Sequence, residues 1–180
     1  YSIASTRVSY SDLYNEQGIW YSYSTNSSFN GIAYKLSTDS NIVIQQTNFI
    51  DGIEWGKYHE WWPNGNKKTD GTYKAGLMHG RWKFFNEKGK IYCAGSYING
   101  GGHKPPGLLK KVPKEGVRGL WTYWDKNGRK IEEGYYSLNG VPKGNWSFWD
   151  KKGRKRLGKK IKYETFTNKD AIKHLDGYFL

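Results

Sequence analysis

The chain has 180 residues and a net charge of +13, with 29 basic and 16 acidic side chains. Its 9 Trp, 15 Tyr and 7 Phe residues are enough for one shared core, and no apolar stretch approaches the roughly 20 residues of a membrane helix. A single cysteine, Cys93, excludes an intrachain disulfide. We expect Cys93 to be a small buried residue of a strand rather than a reactive thiol.

The first 30 residues form an irregular N-terminal segment that is rich in Ser, Tyr and Asn. Gly18, Trp20 and Tyr23 favour one additional hairpin of the array within it, with an ambiguous register. A degenerate first unit follows, marked by Gly31, Leu36, Phe49 and Gly52. Irregular terminal units are common because they cap an array.

Residues 31–162 are organised by a repeated phrase, which occurs four times from residue 56 onward. Each copy opens with a glycine, carries aromatic residues two and five positions later, and has a second glycine at position nine. The opening glycines are Gly56, Gly80, Gly119 and Gly144; position two holds Tyr58, Trp82, Trp121 and Trp146; position five holds Trp61, Phe85, Trp124 and Trp149; position nine holds Gly65, Gly89, Gly128 and Gly153. Such self-similarity predicts units that bury their apolar faces by stacking on neighbours.

Each unit has the pattern of a β-hairpin. Asn86, Asp125 and Asp150 begin turns that end with a glycine three positions later, which favours a type I turn closed by a left-handed residue. A second strand follows, with a glycine and then a tyrosine two positions later, as in Gly71 and Tyr73. The pattern predicts an all-β fold, an elongated antiparallel sheet of successive hairpins.

Two segments depart from the hairpin pattern. Residues 100–118 lengthen one repeat by about 15 residues and contain Gly, adjacent prolines and lysines that a central strand excludes, so they predict an insertion loop. At the C-terminal end, Thr167 to Asp170 resemble a capping box before Ala171, which predicts a short cap helix within 163–180.

The basic charge is concentrated in two clusters. One lies in the insertion and includes Lys110 and Lys111. The other cluster consists of Lys151, Lys152, Arg154, Lys155, Arg156, Lys159 and Lys160. Such patches attract nucleic acid, lipid headgroups or acidic protein surfaces, whereas the simpler interpretation is a solvated edge that resists aggregation.

The sequence offers no constellation for catalysis. The four histidines have no second ligand at metal spacing, and no local motif joins a nucleophile to a base or forms a phosphate-binding loop. Glu132 and Glu133 are adjacent on a strand, so they point to opposite faces and do not form a carboxylate pair. We therefore expect a protein that is not an enzyme and that uses no metal or cofactor.

Pairs of adjacent aromatic residues support a binding function. Trp61 with Trp62, Tyr123 with Trp124, and Phe148 with Trp149 place neighbouring rings on opposite faces of the sheet. Exposed rings anchor protein interfaces or stack on sugars, bases and quaternary ammonium groups, unless neighbouring strands cover both faces. The residues that we expect to bind a partner protein are Trp62, Tyr123, Trp149, Lys110 and Lys111.

The repeats over residues 31–162 resemble the bacterial variant of MORN repeats, found in proteins often labelled YwqK-family antitoxins. The segments GKYHEWWPNGNKKTDGTYKAGLMH, GRWKFFNEKGKIYCAGSYING, GLWTYWDKNGRKIEEGYYSLNGVPK and GNWSFWDKKGRKR carry this resemblance. It implies a scaffold or binding surface made from one sheet, with no catalytic residues to carry over. Neutralising a toxin is one possibility within that class. The insertion, the basic charge and the irregular first 50 residues depart from the family pattern.

A second resemblance is to choline-binding and glucan-binding repeats, which share an aromatic phrase and a closing glycine. Here the period is 24 to 25 residues rather than about 20, and Gly-Trp is replaced by Gly-x-Tyr. The alternative function is therefore binding of cell-wall glycan, choline, anionic lipid or, less favoured, nucleic acid. We expect a location in the bacterial cell envelope, periplasmic or exported, because Tyr1 is not a methionine and the resembled family is often exported; the alternative is the cytoplasm.

Overall fold

The computed structural model describes residues 6–100, 116–138 and 142–160, with the backbone alone for 157–160. Besides one turn of 3-10 helix, Tyr10–Asp12, the regular elements of these residues are strands. In chain order they are β1 (Arg7–Ser9), β2 (Leu13–Glu16), β3 (Ile19–Ser22), β4 (Gly31–Leu36), β5 (Val43–Ile50), β6 (Ile53–Trp61), β7 (Lys67–Lys74), β8 (Leu77–Phe85), β9 (Ile91–Gly100), β10 (Val117–Trp124), β11 (Lys130–Tyr136), β12 (Pro142–Trp149) and β13 (Lys155–Lys160).

Within the described residues, eleven strands form one long sheet in the order β1-β4-β5-β6-β7-β8-β9-β10-β11-β12-β13. From β4 onward each strand pairs antiparallel with the next one in sequence, so the sheet is a run of successive hairpins. Strand β1 pairs parallel with β4 at one edge. The predicted all-β hairpin array is confirmed.

The turns within the repeats also follow the prediction. In the third repeat, Asp125 N donates to the carbonyl of Arg129 at 2.8 Å, and Gly128 N donates to the carbonyl of Asp125 at 2.9 Å. Gly128 has φ +82, a left-handed conformation that glycine adopts without a Cβ clash. The Asp125 carboxylate accepts hydrogen bonds from the backbone N–H groups of Asn127 and Arg129, which explains the acid at the first position.

One face of the sheet, the core face, holds the buried rings. Each tryptophan at position two lies against the glycine of the preceding second strand: a Cβ on Gly95 would lie 2.0 Å from ring atoms of Trp121, and Gly71 has the same relation to Trp82 at 2.2 Å. Trp82 and Trp121 are 0% exposed. The glycine of the Gly-x-Tyr phrase therefore leaves the space in which the indole of the next repeat packs. We call this glycine the seat of that indole.

The tyrosine of the same phrase supports the next indole from the side. Tyr97 meets Trp121 at 5.2 Å and 88°, and Tyr136 meets Trp146 at 5.2 Å and 85°. Perpendicular pairs at this distance are a favourable aromatic geometry. Ring contacts between successive hairpins thus form the core, as the number of Trp, Tyr and Phe residues in the sequence led us to expect. Cys93 lies in this core with 0% exposure, and burial raises the pKa of its thiol, which confirms its structural role.

The N-terminal segment forms a second layer. Strands β2 and β3 do make the expected hairpin, but it forms a separate two-stranded sheet instead of extending the array. Trp20 N donates to the carbonyl of Gly52 at 2.8 Å, which ties β3 to the turn between β5 and β6. Leu13 and Phe29 pack with Phe49 of β5 in a small core of their own. The layer caps the first hairpin of the array.

Two predictions of the sequence lie partly or wholly outside the described residues. The residues at the two ends of the insertion predicted at 100–118 belong to strands, since Gly100 ends β9 and Val117 begins β10. The amide of Ile98 donates to the carbonyl of Gly116 at 2.8 Å, which brings the two ends together. Residues 101–115, with Lys110 and Lys111, and the cap helix predicted in 163–180 lie outside the described residues.

Candidate functional site

The face opposite the core, the outer face, carries a row of aromatic rings. The rings at position five belong to it: Trp61 on β6, Phe85 on β8, Trp124 on β10 and Trp149 on β12. All four are half-buried, neither enclosed nor fully exposed. They occupy alternate strands of the sheet, so the strands that carry neighbouring rings of the row are about 9.5 Å apart.

Basic side chains alternate with these rings across the sheet. Trp61 pairs with Lys67, Trp124 with Lys130 and Trp149 with Lys155, whereas Phe85 pairs with an aliphatic residue. We call these eight positions the outer row: Trp61, Lys67, Phe85, Ile91, Trp124, Lys130, Trp149 and Lys155. The register places a cation beside each tryptophan of the row.

Trp149 has the most developed of these arrangements. The ammonium groups of Lys130 and Lys155 lie 5.0 Å and 5.7 Å from the centre of its ring. Lys130 also forms an ion pair with Glu133 at 2.7 Å. The hydrogen bond from Lys130 is the main reason that the pKa of Glu133 is lowered, and a bond from Thr122 adds to it while desolvation opposes it. These contacts place two cations against one ring.

The first repeat has a similar polar arrangement beside Trp61. Asp70 accepts from Lys67 at 3.1 Å and lies 3.0 Å from Nδ1 of His59, whose ring contacts Trp61. Arg81 and Lys83 are exposed on β8 between these two ends of the row. On the described strands β6–β13, the acidic residues of the outer face are Asp70 and Glu133, so the face is basic overall.

Tyr123 is not an exposed ring, so the expectation that it meets a partner is wrong. It is 8% exposed, and its hydroxyl lies 3.3 Å from that of Tyr136 in the core. Its position is four after the opening glycine, the same parity as the buried tryptophans, whereas Trp124 has the parity of the outer face. Sequence reasoning did not single out Trp61, Phe85 and Trp124 as rings of the outer face, although their parity relative to position two was available as a signal.

Trp62 occupies a turn rather than a face. It stands where the other repeats have Asn or Asp, and its Nε1 donates to the carbonyl of Phe85 in the next hairpin at 3.1 Å. The ammonium group of Lys68 lies 5.0 Å from its ring centre. Trp62 therefore joins neighbouring hairpins, and of the three rings expected to bind a partner only Trp149 belongs to the outer row.

The basic cluster near the C-terminal edge is partly engaged in its own turn. Arg154 Nε donates to Asp150 at 2.9 Å, and Arg156 lies 3.8 Å from the same carboxylate. The backbone hydrogen bond from Arg154 is the first cause of the lowered pKa of Asp150. Lys151, Lys152, Arg154 and Arg156 line an open cleft of about 370 Å³, and Lys159 and Lys160 are described by backbone alone.

No three His, Cys, Asp or Glu side chains of the described residues lie close enough together to hold a metal ion. Among the same residues, no helix is long and apolar enough to cross a membrane. Known protein-family models give no match to the chain, and curated protein sequences give none either. The resemblance to MORN repeats therefore stays a prediction.

Proposed function

We propose that this protein is a non-enzymatic binding module that docks an acidic partner protein on its outer face. The observation that carries the proposal is the outer row, in which three tryptophans stand beside lysines across eight strands. Tryptophan is enriched at the energetic centres of protein interfaces, and half-buried rings lose little side-chain entropy on binding. The surrounding basic charge selects an acidic surface and speeds its association.

The contrast between the rings of the core face and those of the outer face supports the same assignment. Rings at position two are buried by the array itself, so their contacts stabilise the fold. Rings at position five have no such structural seat, yet they recur in every repeat. A repeated aromatic position on a solvent-facing surface fits an extended interface, which is a usual role of repeat arrays.

The experiment compares partner capture by two matched variants of the tagged protein from its source cells at moderate salt. One variant, Trp61→Ser/Trp124→Ser/Trp149→Ser, removes the tryptophans of the outer row. The control, Trp55→Ser, removes a tryptophan that is 41% exposed outside the row. We expect the wild type and the control to retain one stoichiometric acidic protein, and the triple variant to lose it.

The captured protein is then purified and its affinity measured by calorimetry at low and moderate salt. Between low and moderate salt we expect the affinity to fall by about tenfold or less, with the stoichiometry unchanged. Salt screens the charges but not the ring contacts, and both contribute to binding. Equal capture by the triple variant, while thermal unfolding shows all variants folded, contradicts the proposal. Recovery of nucleic acid, lipid or glycan in place of a protein contradicts it as well.

The second candidate is an anion or wall-polymer binder that uses the basic cluster at 151–160. The open cleft of about 370 Å³ beside Lys151, Lys152 and Arg156 favours it, while Asp150, which also lines the cleft, reduces its positive charge. Binding of this kind falls steeply with salt. A Lys151→Gln/Lys152→Gln/Arg156→Gln variant that abolishes binding, where the triple tryptophan variant does not, supports this candidate over the first.

The finer assignments follow from the proposed resemblance to MORN-variant repeats. As an antitoxin, the module would cover its partner's functional surface; as an envelope scaffold, it would hold a larger complex together. Lys110 and Lys111 of the insertion add basic charge to the chain in either role. Fractionation of the source cells tests the envelope location, and recovery of the protein with cytosolic markers contradicts it.

A further inference from the structure

An open cleft of about 450 Å³ lies beside the opening glycines of the third and fourth repeats, on strands β10–β12. Its volume is within the range of about 300–1,000 Å³ that is usual for small-molecule sites. Its walls are formed by Arg118, Gly119, Tyr135, Tyr136, Ser137, Leu138, Lys143, Gly144 and Asn145. None of these nine residues belongs to the outer row, whose Lys130 lies roughly 16 Å from Tyr135 along β11. The cleft therefore goes beyond the proposed function.

The register of the sheet brings one aromatic ring and two basic side chains to this cleft. Tyr135 follows Gly134, which is a seat on the core face, so the Tyr135 side chain points to the outer face. Lys143 pairs with Tyr135 across the sheet and takes the same face. Arg118 pairs with Ser96, the corresponding residue of the preceding hairpin, and takes this face too. The three side chains thus border one space on the outer face.

The ring of Tyr135 is not required by the array at its position. The middle position of the Gly-x-Tyr phrase holds Thr72, Ser96 and Tyr135 in the three hairpins. The hydroxyl of Thr72 donates to the carbonyl of His79, so it has a role within its own hairpin. Tyr135 is 55% exposed and offers a face of its ring for stacking. This hairpin thus presents a ring where the other two present a small hydroxyl side chain.

The lining of the cleft is positively charged. Arg118, which is half-buried, and Lys143, which is exposed, lie among nine lining residues that include no Asp or Glu. Within the described residues, the structure shows no ion pair for either of the two side chains. The acid on the outer face of β11, Glu133, forms an ion pair with Lys130 at 2.7 Å, so its charge is compensated. The cleft therefore favours a small anion.

We propose that the cleft binds a small arene carboxylate, with its ring stacked on Tyr135 and its carboxylate between Arg118 and Lys143. A guanidinium group matches a carboxylate with two parallel hydrogen bonds, and an ammonium group adds a point charge. Two aromatic rings attract each other in an offset stack. A Cβ on Gly119 or Gly144 would meet nothing within 4 Å, so there is free space for the ligand beside the ring. Inorganic phosphate would use the two cations but not the ring.

The test uses the whole chain and three probes. Naphthoate carries both ring and charge, naphthamide keeps the ring without the charge, and acetate keeps the charge without the ring. Affinities are measured by ligand-observed NMR, and the backbone amide signals of Gly119 and Gly144 locate the site. We expect naphthoate to bind saturably, at least about tenfold more tightly than either of the other probes, and to shift both glycine signals.

Variants separate the contribution of charge from that of the ring. Arg118→Gln should weaken naphthoate about tenfold and Lys143→Gln about threefold or more, with binding of naphthamide unchanged, because each variant removes one charge. Tyr135→Thr introduces the residue of the first hairpin and should weaken naphthoate and naphthamide alike, by about fivefold, through loss of stacking. The matched control is Lys57→Gln, in which the lysine pairs with Thr72 instead of a tyrosine. This control should bind naphthoate like the wild type.

Equal affinity for naphthoate and naphthamide overturns the proposal, as does absence of saturable naphthoate binding. Undiminished binding in a folded Arg118→Gln variant, judged by thermal unfolding, also overturns it. If that variant does not fold, Lys143→Gln at its exposed position gives the same test. Shifts of the Lys151 and Lys152 amide signals in place of the glycine signals would assign the anion to the other basic cleft and overturn the proposal. Partner capture plays no part in these measurements, so this proposal and the proposed function can fail separately.

Discussion

The core face and the outer face carry aromatic rings with the same repeat and on the same strands, but the rings differ in their neighbours and in their exposure. On the core face each indole has a glycine seat and a perpendicular tyrosine, as Trp121 has in Gly95 and Tyr97. On the outer face the rings, such as Trp149, lie beside lysines and stay partly open. One residue step along a strand therefore separates an enclosed ring from a partly open one in this array.

The adjacent acids Glu132 and Glu133 show the same contrast in their ionisation. Glu132 is on the core face opposite Tyr123, and burial raises its pKa from 4.5 to about 7. Glu133 is on the outer face, where the hydrogen bond from Lys130 lowers its pKa. The sequence prediction that the two side chains take opposite faces is confirmed.

Substituting one tryptophan on each face shows how differently the two faces contribute to stability. Trp82→Ala removes a side chain that is 0% exposed and should reduce the free energy of unfolding by about 3–5 kcal/mol. Trp149→Ala removes a half-buried ring and should cost about 1 kcal/mol or less. Urea unfolding followed by circular dichroism measures both losses, and equal losses would mean that the two faces do not differ as described.

The next effect concerns the glycine seats. In Gly95→Ala the new Cβ would lie 2.0 Å from ring atoms of the buried Trp121, so the indole or the strand must move. We expect a loss near the upper end of about 1–3 kcal/mol in the free energy of unfolding. The matched control is Ser96→Ala, one residue away on the outer face, which should change stability by about 0.5 kcal/mol or less.

Glu132 and Glu133 give the smallest expected effects on the free energy of unfolding, and these effects depend on pH. Because the folded pKa of Glu132 is raised, the protonated acid favours the folded state, and this contribution is lost as the pH rises through about 7. Glu132→Gln should therefore be close to neutral at pH 5 and stabilise by about 1–2 kcal/mol at pH 8, allowing for partial access of water.

Glu133→Gln is the control of opposite sign. The folded pKa of Glu133 is lowered, so its contribution is present above the unfolded pKa and disappears as the pH falls. This variant should destabilise the protein at pH 8 and have little effect at low pH. Thermal unfolding between pH 3 and pH 8 measures both variants, and parallel pH profiles for the two would remove the distinction between the faces.

Much of the array could be predicted because its signals are local. The turns depend on an acid or amide at the first position and a glycine at the fourth, as in Asp125 and Gly128. Strand pairing then follows from short hairpin connections. The insertion stays a prediction, and Gly100, Val117 and Arg118 at its predicted ends belong to strands.

The candidate site was predicted less well because exposure depends on several strands at once. Tyr123 and Trp124 are adjacent aromatic residues, so residue type does not show which of them is buried; the face that each one takes depends on the register with the neighbouring strands. Trp62 was expected on a face, but its bond to Phe85 of the next hairpin places it between turns. The cleft beside Tyr135 was not anticipated, since its side chains come from three different strands.

By itself, the sequence determined the hairpin repeat, its turns, its aromatic core and its basic charge, because these depend on residue spacing and backbone preferences within one unit. Only the tertiary structure decided which rings remain open, which lysines stand beside them and where the N-terminal hairpin lies. These outcomes depend on register and packing between units and layers. A shift of one residue in register exchanges the two faces of a strand, so contacts with neighbouring strands are needed to select one.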